Sequence, residues 1–261
     1  MTKLKSFIKK SIFKIAGEKA YSKAYVKAKV NDIKSKDYEE AELDFVRHFI
    51  SKDDYVLDLG ANYGHYCVKM AELCPQGKVI AFEPIPFTYQ VLEQVVAHFN
   101  LTNVELIHAA VSEEDGQLTM QLPLLDFGGP NTGVAHISEV HSEGSEEVVV
   151  ATKRIDSMSF EKSIAFIKMD IEGHEPVAAK GMKQLLQKDQ PVILIEFSHS
   201  CMIRANHDPA DFSDFLIQEL GYEFFTLKEN KLLKVNESQP ADGYYFLIHS
   251  SKVSNYQELI Q

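Results

Sequence analysis

The sequence predicts an α/β fold: a mostly parallel sheet with helices on both faces and its last strand reversed. Three observations predict it. An apolar run, Val56, Leu57 and Leu59 around Asp58, stops at Gly60-Ala61-Asn62-Tyr63-Gly64. An amphipathic stretch through His65, Lys69 and Glu72 follows, which reads as strand, tight turn and helix. Apolar runs and helical patterns then alternate along the chain, the mark of βα units. The last two runs, Glu223–Leu227 and Gly243–His249, are joined by a polar stretch too short for a crossover helix. They are therefore expected to pair antiparallel.

Taken in order, Leu4, Phe7, Ile8, Ile12 and Ile15 recur at helical spacing from Lys3 to Ala16, with Lys3, Lys5, Lys9, Lys10 and Lys14 on the other side. This is a basic amphipathic helix, a type that can lie on an anionic bilayer surface. Lys19–Lys36 reads as helical with weaker patterning, and Glu40–Ile50 as a helix before the first strand. Strands are expected at Tyr55–Leu59, Lys78–Phe82, Val104–His108, Ala165–Asp170 and Val192–Phe197, followed by the final pair. Helices are expected at His65–Cys74, Phe87–Asn100, Pro176–Lys188 and Ala210–Leu220. Gln117–Ile155 reads as an insertion of short β pieces around the loop Gly128–Gly133. Long loops at a sheet rim carry function more often than not.

Charge divides the chain. Residues 1–36 hold eleven lysines against Glu18 and Asp32, a net +9, so the rest carries −20 of a total of −11. Residues 1–36 are expected to form a distinct helical segment and 37–261 the main domain. An acidic body argues against nucleic acid as a partner, because phosphate contacts need basic surface. Cys67, Cys74 and Cys201 are odd in number with no C-x-x-C spacing, which reads as reduced thiols. No apolar run reaches membrane-spanning length, and lysines interrupt any signal-peptide core. A cytoplasmic location is expected, with peripheral membrane contact through residues 3–16. The sequence leaves the oligomeric state open.

A glycine turn at the carboxyl end of a parallel strand is the usual small-molecule site of an open α/β sheet. Glycine permits positive φ and close approach, and Asn is next best in a left-handed position. A dinucleotide fingerprint would need glycine at Asn62 and His65 and fails at both. Asp58, Gly60 and Gly64 fit D-x-G-x-x-x-G instead. The strand Lys78–Phe82 ends in Glu83-Pro84, where a carboxylate can accept from both hydroxyls of a ribose.

Asp58-Leu-Gly-Ala-Asn-Tyr-Gly64, Glu83-Pro84, Ala110-Val-Ser112, Phe166-Ile-Lys-Met-Asp-Ile-Glu-Gly-His-Glu175 and Pro191–Glu196 follow in order. This series resembles the FkbM family of methyltransferases, across roughly Tyr38–Phe197. The resemblance implies a Rossmann-like, seven-stranded class I methyltransferase sheet with the last strand antiparallel and a β-rich insertion before strand four. It also implies S-adenosyl-L-methionine as cofactor, held by Asp58, Gly60, Asn62, Gly64, Glu83, Ser112 and Asp170. The implied reaction is O-methylation of a sugar, glycan or natural-product hydroxyl. The serines that the family carries after the insertion loop are replaced here by Val134-Ala-His-Ile137, which leaves the acceptor class open.

Methyl transfer to a hydroxyl needs positioning and removal of a proton. Asp170, Glu172, His174 and Glu175 crowd six residues at the end of strand four, and such crowding raises carboxylate pKa values unless a cation or proton is shared. Asp170 is the first candidate to contact cofactor or acceptor, Glu172 and His174 are candidate bases, and Glu196 is a second acid/base or acceptor anchor. Glu175 reads equally as a charge favoured at a helix N-terminus. Beside His199, read as a surface-loop histidine, these groups match no fixed metal motif, and no metal site is assigned. An NAD(P)-binding oxidoreductase and a catalytically inactive binding module are the alternative readings.

Overall fold

The computed structural model describes residues 23–35, 41–123, 136–137, 145–235 and 240–261. Helix α1 (23–35) and α2 (Ala41–Phe45), with a 3-10 turn at Val46–His48, precede β1 (Tyr55–Leu59). Then come α3 (His65–Leu73), β2 (Lys78–Phe82), α4 (Pro86–His98), β3 (Val104–Ile107) and β4 (Ala110–Val111). The insertion supplies β5 (Gly116–Pro123), β6 (His136–Ile137) and β7 (Ser145–Lys153). The chain continues through β8 (Ile164–Met169), α5 (Glu175–Gly181), α6 (Lys183–Asp189), β9 (Val192–Phe197), α7 (His199–Arg204) and α8 (Pro209–Asp214). It ends with β10 (Tyr222–Lys228), β11 (Lys231–Lys234) and β12 (Gly243–His249).

Among the described residues the main sheet runs β11-β10-β12-β9-β8-β1-β2-β3. The strands β9, β8, β1, β2 and β3 are parallel, while β12 is antiparallel to both of its neighbours. The central strands are near-continuous apolar runs because both of their faces are covered. Leu57, Leu59, Ile167, Met169, Ile193 and Ile195 face a core that includes Ala178, Met182, Leu186 and Phe212. Val56, Phe166, Leu194 and Phe246 face the opposite core, with Phe45, Phe49, Tyr66 and Met70. Asp58, Lys168, Asp170 and Glu196 fall at the even positions of this second set, so the two-residue strand period brings them to one face.

The insertion forms its own sheet, β4-β7-β5-β6, as a β-rich segment before strand four. Helix α1 lies on the body, with Val30 buried among Tyr63, Val68, Val91 and Val95. The helix read at Lys3–Ala16 and the loop Gly128–Gly133 with Asn131 lie outside the described residues.

Four local readings are corrected. The sheet has eight strands, not seven, because residues after β10 turn back as β11. Glu229 and Asn230 both take positive φ, +50° and +60°, the backbone of a two-residue hairpin turn usually signalled by Asn-Gly. The single helix read at Pro176–Lys188 is two. The Asp156 carboxylate accepts the Gln184 and Leu185 N–H groups at 3.0 Å each, which starts α6 afresh from a residue 28 positions upstream. The helix read at Ala210–Leu220 is α8 followed by a π turn at Phe215–Glu219. His199 opens α7 rather than sitting in a loop: Ser198 caps that helix, and Asp242 accepts the His199 N–H at 2.8 Å.

Candidate active site

The carboxyl ends of β1, β2, β8 and β9 surround a cleft of about 240 Å³. Its lining includes Gly60, Asn62, Glu83, Asp170, Glu172, His174, Glu196 and Tyr244. The local backbone explains how they arrive there. Gly60, Asn62 and Gly64 all have positive φ, +78°, +49° and +93°, as their residue types allow. A Cβ on Gly60 would stand 2.0 Å from the Asp170 carbonyl oxygen. The close approach that demands glycine here is therefore to β8, within the protein.

Glu83 is buried at the end of β2. Its two oxygens accept the Asn62 and Ile85 N–H groups, each at 2.9 Å. These bonds tie the turn after β1 to the turn after β2 and fix the carboxylate in the lining of the cleft. Burial pushes Glu83 up to about 7, against the pull of those two N–H donors.

A group that sequence reasoning missed sits at the centre. Lys168, 4% exposed, donates to the Gly60 carbonyl at 2.9 Å and pairs with Asp170 at 3.3 Å. It is the register partner of Asp58 across β1 and β8 and lies 5.5 Å from the Tyr66 ring centroid. Burial alone would lower the ammonium, but the charges of Asp170 and Asp58 outweigh it and hold Lys168 above the ordinary lysine value. The available signal was a lone lysine inside an otherwise apolar strand.

The carboxylates respond to the same burial. Asp58 has no hydrogen-bond partner for either oxygen among the described residues. Burial pushes it up to about 6, with Lys168 opposing and Asp170 adding to the shift. Burial, the charge of Asp170 and a hydrogen bond with Asp170 push Glu196 up to about 8. A like charge beside a half-buried carboxyl favours its protonated form. Burial and Asp170 also raise Glu172, which lies 3.5 Å from Arg204 and takes φ +58°.

The remaining sequence-predicted residues separate. His174 lines the cleft, but its Nε2 is 3.3 Å from Ser112 Oγ, and burial, with His207 adding, takes it down to about 4. Asp58, Gly64 and Ser112 do not line the cleft. Asp58 lies behind the turn, and Gly64 ends that turn as the N-cap of α3. The Ser112 carbonyl sits where a Cβ on Gly181 would meet it at 2.1 Å, so Ser112 packs against α5. Glu175 is also outside the cleft: its Oε1 accepts the Ile171 N–H at 2.8 Å. His199 pairs with Asp242 at 2.6 Å, away from the lining.

Glu175 gives a pH test of this burial. It is pushed from 4.5 up to about 7, chiefly by desolvation. A raised carboxylate contributes stability that is complete below the unfolded pKa and is lost as pH rises through the folded one. Glu175→Gln keeps an acceptor for the Ile171 N–H. It is expected to flatten the fall in stability between about pH 4.5 and 7 by up to ~3 kcal/mol, measured by urea unfolding across that range. An unchanged pH dependence would remove Glu175 from the account.

The comparisons with known proteins agree with this architecture. The model of the methyltransferase FkbM domain matches residues 58–224. Methyltransferase 1 of Beauveria bassiana is 25% identical over 146 residues, covering 50% of this chain and 59% of that protein. Methyltransferase sdnD of Sordaria araneosa is 29% identical over 47% of this chain and 46% of its own. The chain thus spans about half the length of these two relatives. The hexuronic acid methyltransferase AglP of Haloferax volcanii is 26% identical over 72% of each chain. A crystal structure of a methyltransferase FkbM from Methylobacillus flagellatus shares the fold, with a TM-score of 0.50 at 17% identity over 76% of this chain and 44% of that one. The present chain belongs to the FkbM methyltransferase domain family, whose cofactor is S-adenosylmethionine.

Proposed function

We propose that the chain is an S-adenosylmethionine-dependent methyltransferase that methylates a hydroxyl of a sugar, glycan or natural product. The observation that carries this reading is the cleft itself, whose lining brings the pinned Glu83 together with Asp170 and Glu196. The residues fit the cofactor. Glu83 keeps lone pairs beyond its two backbone bonds and presents them at the strand end where a ribose diol is held. Asn62 and Gly60 line the approach to it. Family membership sets aside the oxidoreductase alternative. A sugar acceptor is supported by the relative matched over most of its length, which carries hexuronic acid in its name.

When bound, S-adenosylmethionine supplies a methyl group on a sulfonium, a good leaving group. The protein has two tasks. It must position the acceptor oxygen in line with that methyl, and it must take the hydroxyl proton as the new bond forms. Glu196, in concert with Asp170, is the base this geometry favours. Its raised value lies near working pH, where a base is most effective. His174, held near 4, is too weak, and Glu172 faces Arg204 and Cys201.

Two substitutions separate these tasks. Glu83→Ala is expected to weaken S-adenosylmethionine binding by ~1–3 kcal/mol in calorimetry. Glu196→Gln is expected to lower turnover by about 10²–10⁴-fold while cofactor affinity holds. A base must be unprotonated to act, so wild-type turnover should rise through about pH 8, and the variant should lose that limb. Undiminished turnover in Glu196→Gln places the base elsewhere. Absence of any methyl transfer across a panel of sugars and polyols, despite cofactor binding, favours an inactive binding module.

We also propose that residues 3–16 bring the enzyme to an anionic membrane surface in the cytoplasm, beside a membrane-proximal acceptor. The lysine-rich, amphipathic sequence supports this, with each lysine near the lipid contributing ~1 kcal/mol. Among the described residues no helix is long and apolar enough to cross a membrane. The deletion that tests it must spare α1, which packs on the body. The full chain should sediment with anionic liposomes and be released by salt, whereas a chain lacking residues 1–17 should not sediment. Equal sedimentation of the two assigns these lysines another role.

A further inference from the structure

We infer that Tyr25 is a positioning residue, whose ring clamps together the two turns that hold Glu83, so that helix α1 sets the shape of the cofactor end of the cleft. This rests on the assignment of Glu83 to the ribose. Glu83 is fixed by one N–H from each turn, Asn62 after β1 and Ile85 after β2. An aromatic ring follows each donor closely: Tyr63 comes next after Asn62, and Phe87, in the first turn of α4, lies two residues past Ile85. Tyr25 touches both. Its ring centroid is 5.0 Å from that of Tyr63 in a tilted contact and 5.6 Å from that of Phe87 in an edge contact. Both are favourable arrangements for aromatic pairs.

One turn further along α1, Lys29 places its ammonium 4.8 Å from the Tyr63 ring centroid and 5.7 Å from that of Tyr25, a cation–π arrangement that holds the same stack. Beneath them Val30 is buried against Val91 and Val95 of α4 and Val68 of α3. The helix thus packs across α3 and α4, the crossovers of the first two βαβ units. The Phe82 carbonyl, which accepts from Gly60 and Ala61, also ties the first turn to β2, and Tyr63 shares a buried cluster with Val91 and Val95 of α4; α1 adds its contact from outside the sheet. Loss of the stack removes the aromatic contact that reinforces these ties, and the carboxylate is held less firmly.

The test uses the full chain and begins without ligand. Hydrogen exchange at the Asn62 and Ile85 amides reads the clamp directly. Tyr25→Ala should speed exchange at both by about three- to tenfold, the equivalent of one or two aromatic contacts. It should weaken S-adenosylmethionine binding by a similar factor and raise the KM for it with kcat unchanged. Tyr25→Phe, which keeps the ring and loses only the hydroxyl's hydrogen bond with Tyr63, should restore most of all three. Lys29→Met should act in the same direction with smaller effect, and it serves if Tyr25→Ala does not fold. Val30→Ala loosens the same helix while leaving Tyr25 and Lys29 in place; if it reproduces the full effect, α1 is a stabilising element only and the clamp is wrong. Unchanged exchange and affinity in folded Tyr25→Ala also overturn it. Glu83→Ala, measured in parallel, separates the claims. If Glu83→Ala binds the cofactor normally, the ribose assignment falls. If it binds weakly and Tyr25→Ala binds normally, the clamp alone falls.

Discussion

The buried ammonium of Lys168 is the interaction on which the rest of this site depends. It joins the carbonyl of Gly60 to the carboxylate of Asp170, and so the turn after β1 to the end of β8. Around it stand Asp58, Asp170 and Glu196, all on the face that the strand period assigns to them. Without a cation, three carboxylates at this depth would repel one another and lose their hydration. With one, a single negative charge is balanced, and the remaining like charge adds to the burial that raises Asp58 and Glu196. Removing Lys168 leaves that negative charge uncompensated, at a cost of ~3–5 kcal/mol.

That arrangement ties stability to chemistry. Asp58, Glu83, Glu175 and Glu196 are each raised above the ordinary carboxylate range, and burial is the largest cause for every one. Two of them, Glu83 and Glu196, line the cleft; the other two do not. A raised carboxylate that opens on a cleft can exchange its proton with a substrate, whereas one sealed beneath a turn only makes the fold less stable as pH rises. The distinction between Glu196 and Glu175 is therefore one of access, since burial has shifted both.

Much of the fold was legible because the apolar runs of a doubly covered parallel sheet are long and uninterrupted. The bounds of β1, β2, β9 and β12 were read directly from Val56–Leu59, Val79–Phe82, Val192–Phe197 and the run after Gly243. What escaped was set by distant partners. Asp156 restarts α6 across a gap that no local pattern records. The Glu229-Asn230 turn adopts hairpin geometry without the residues that usually announce it. At the site, the motif carboxylates were recognised, but their division into lining and supporting roles was not. Gly60 was read as a place for a ligand, and its backbone answers first to Asp170. Ser112 lies in the motif series yet packs against Gly181 and His174. Lys168 was quoted within its motif without a role, because its partners come from three strands that the sequence lists far apart.

The most direct measurement is an NMR pH titration of the Lys168 side-chain nitrogen in the ligand-free protein. Two opposing effects act on this group: burial, which drives a lysine toward neutrality, and the charges of Asp170 and Asp58, which hold its proton. The account predicts that Lys168 stays charged throughout the neutral range and releases its proton only above the ordinary lysine value of 10.5. Loss of the proton near neutral pH would show that burial prevails. The carboxylate cluster would then lack its counter-ion, and the charge balance built on it would not stand.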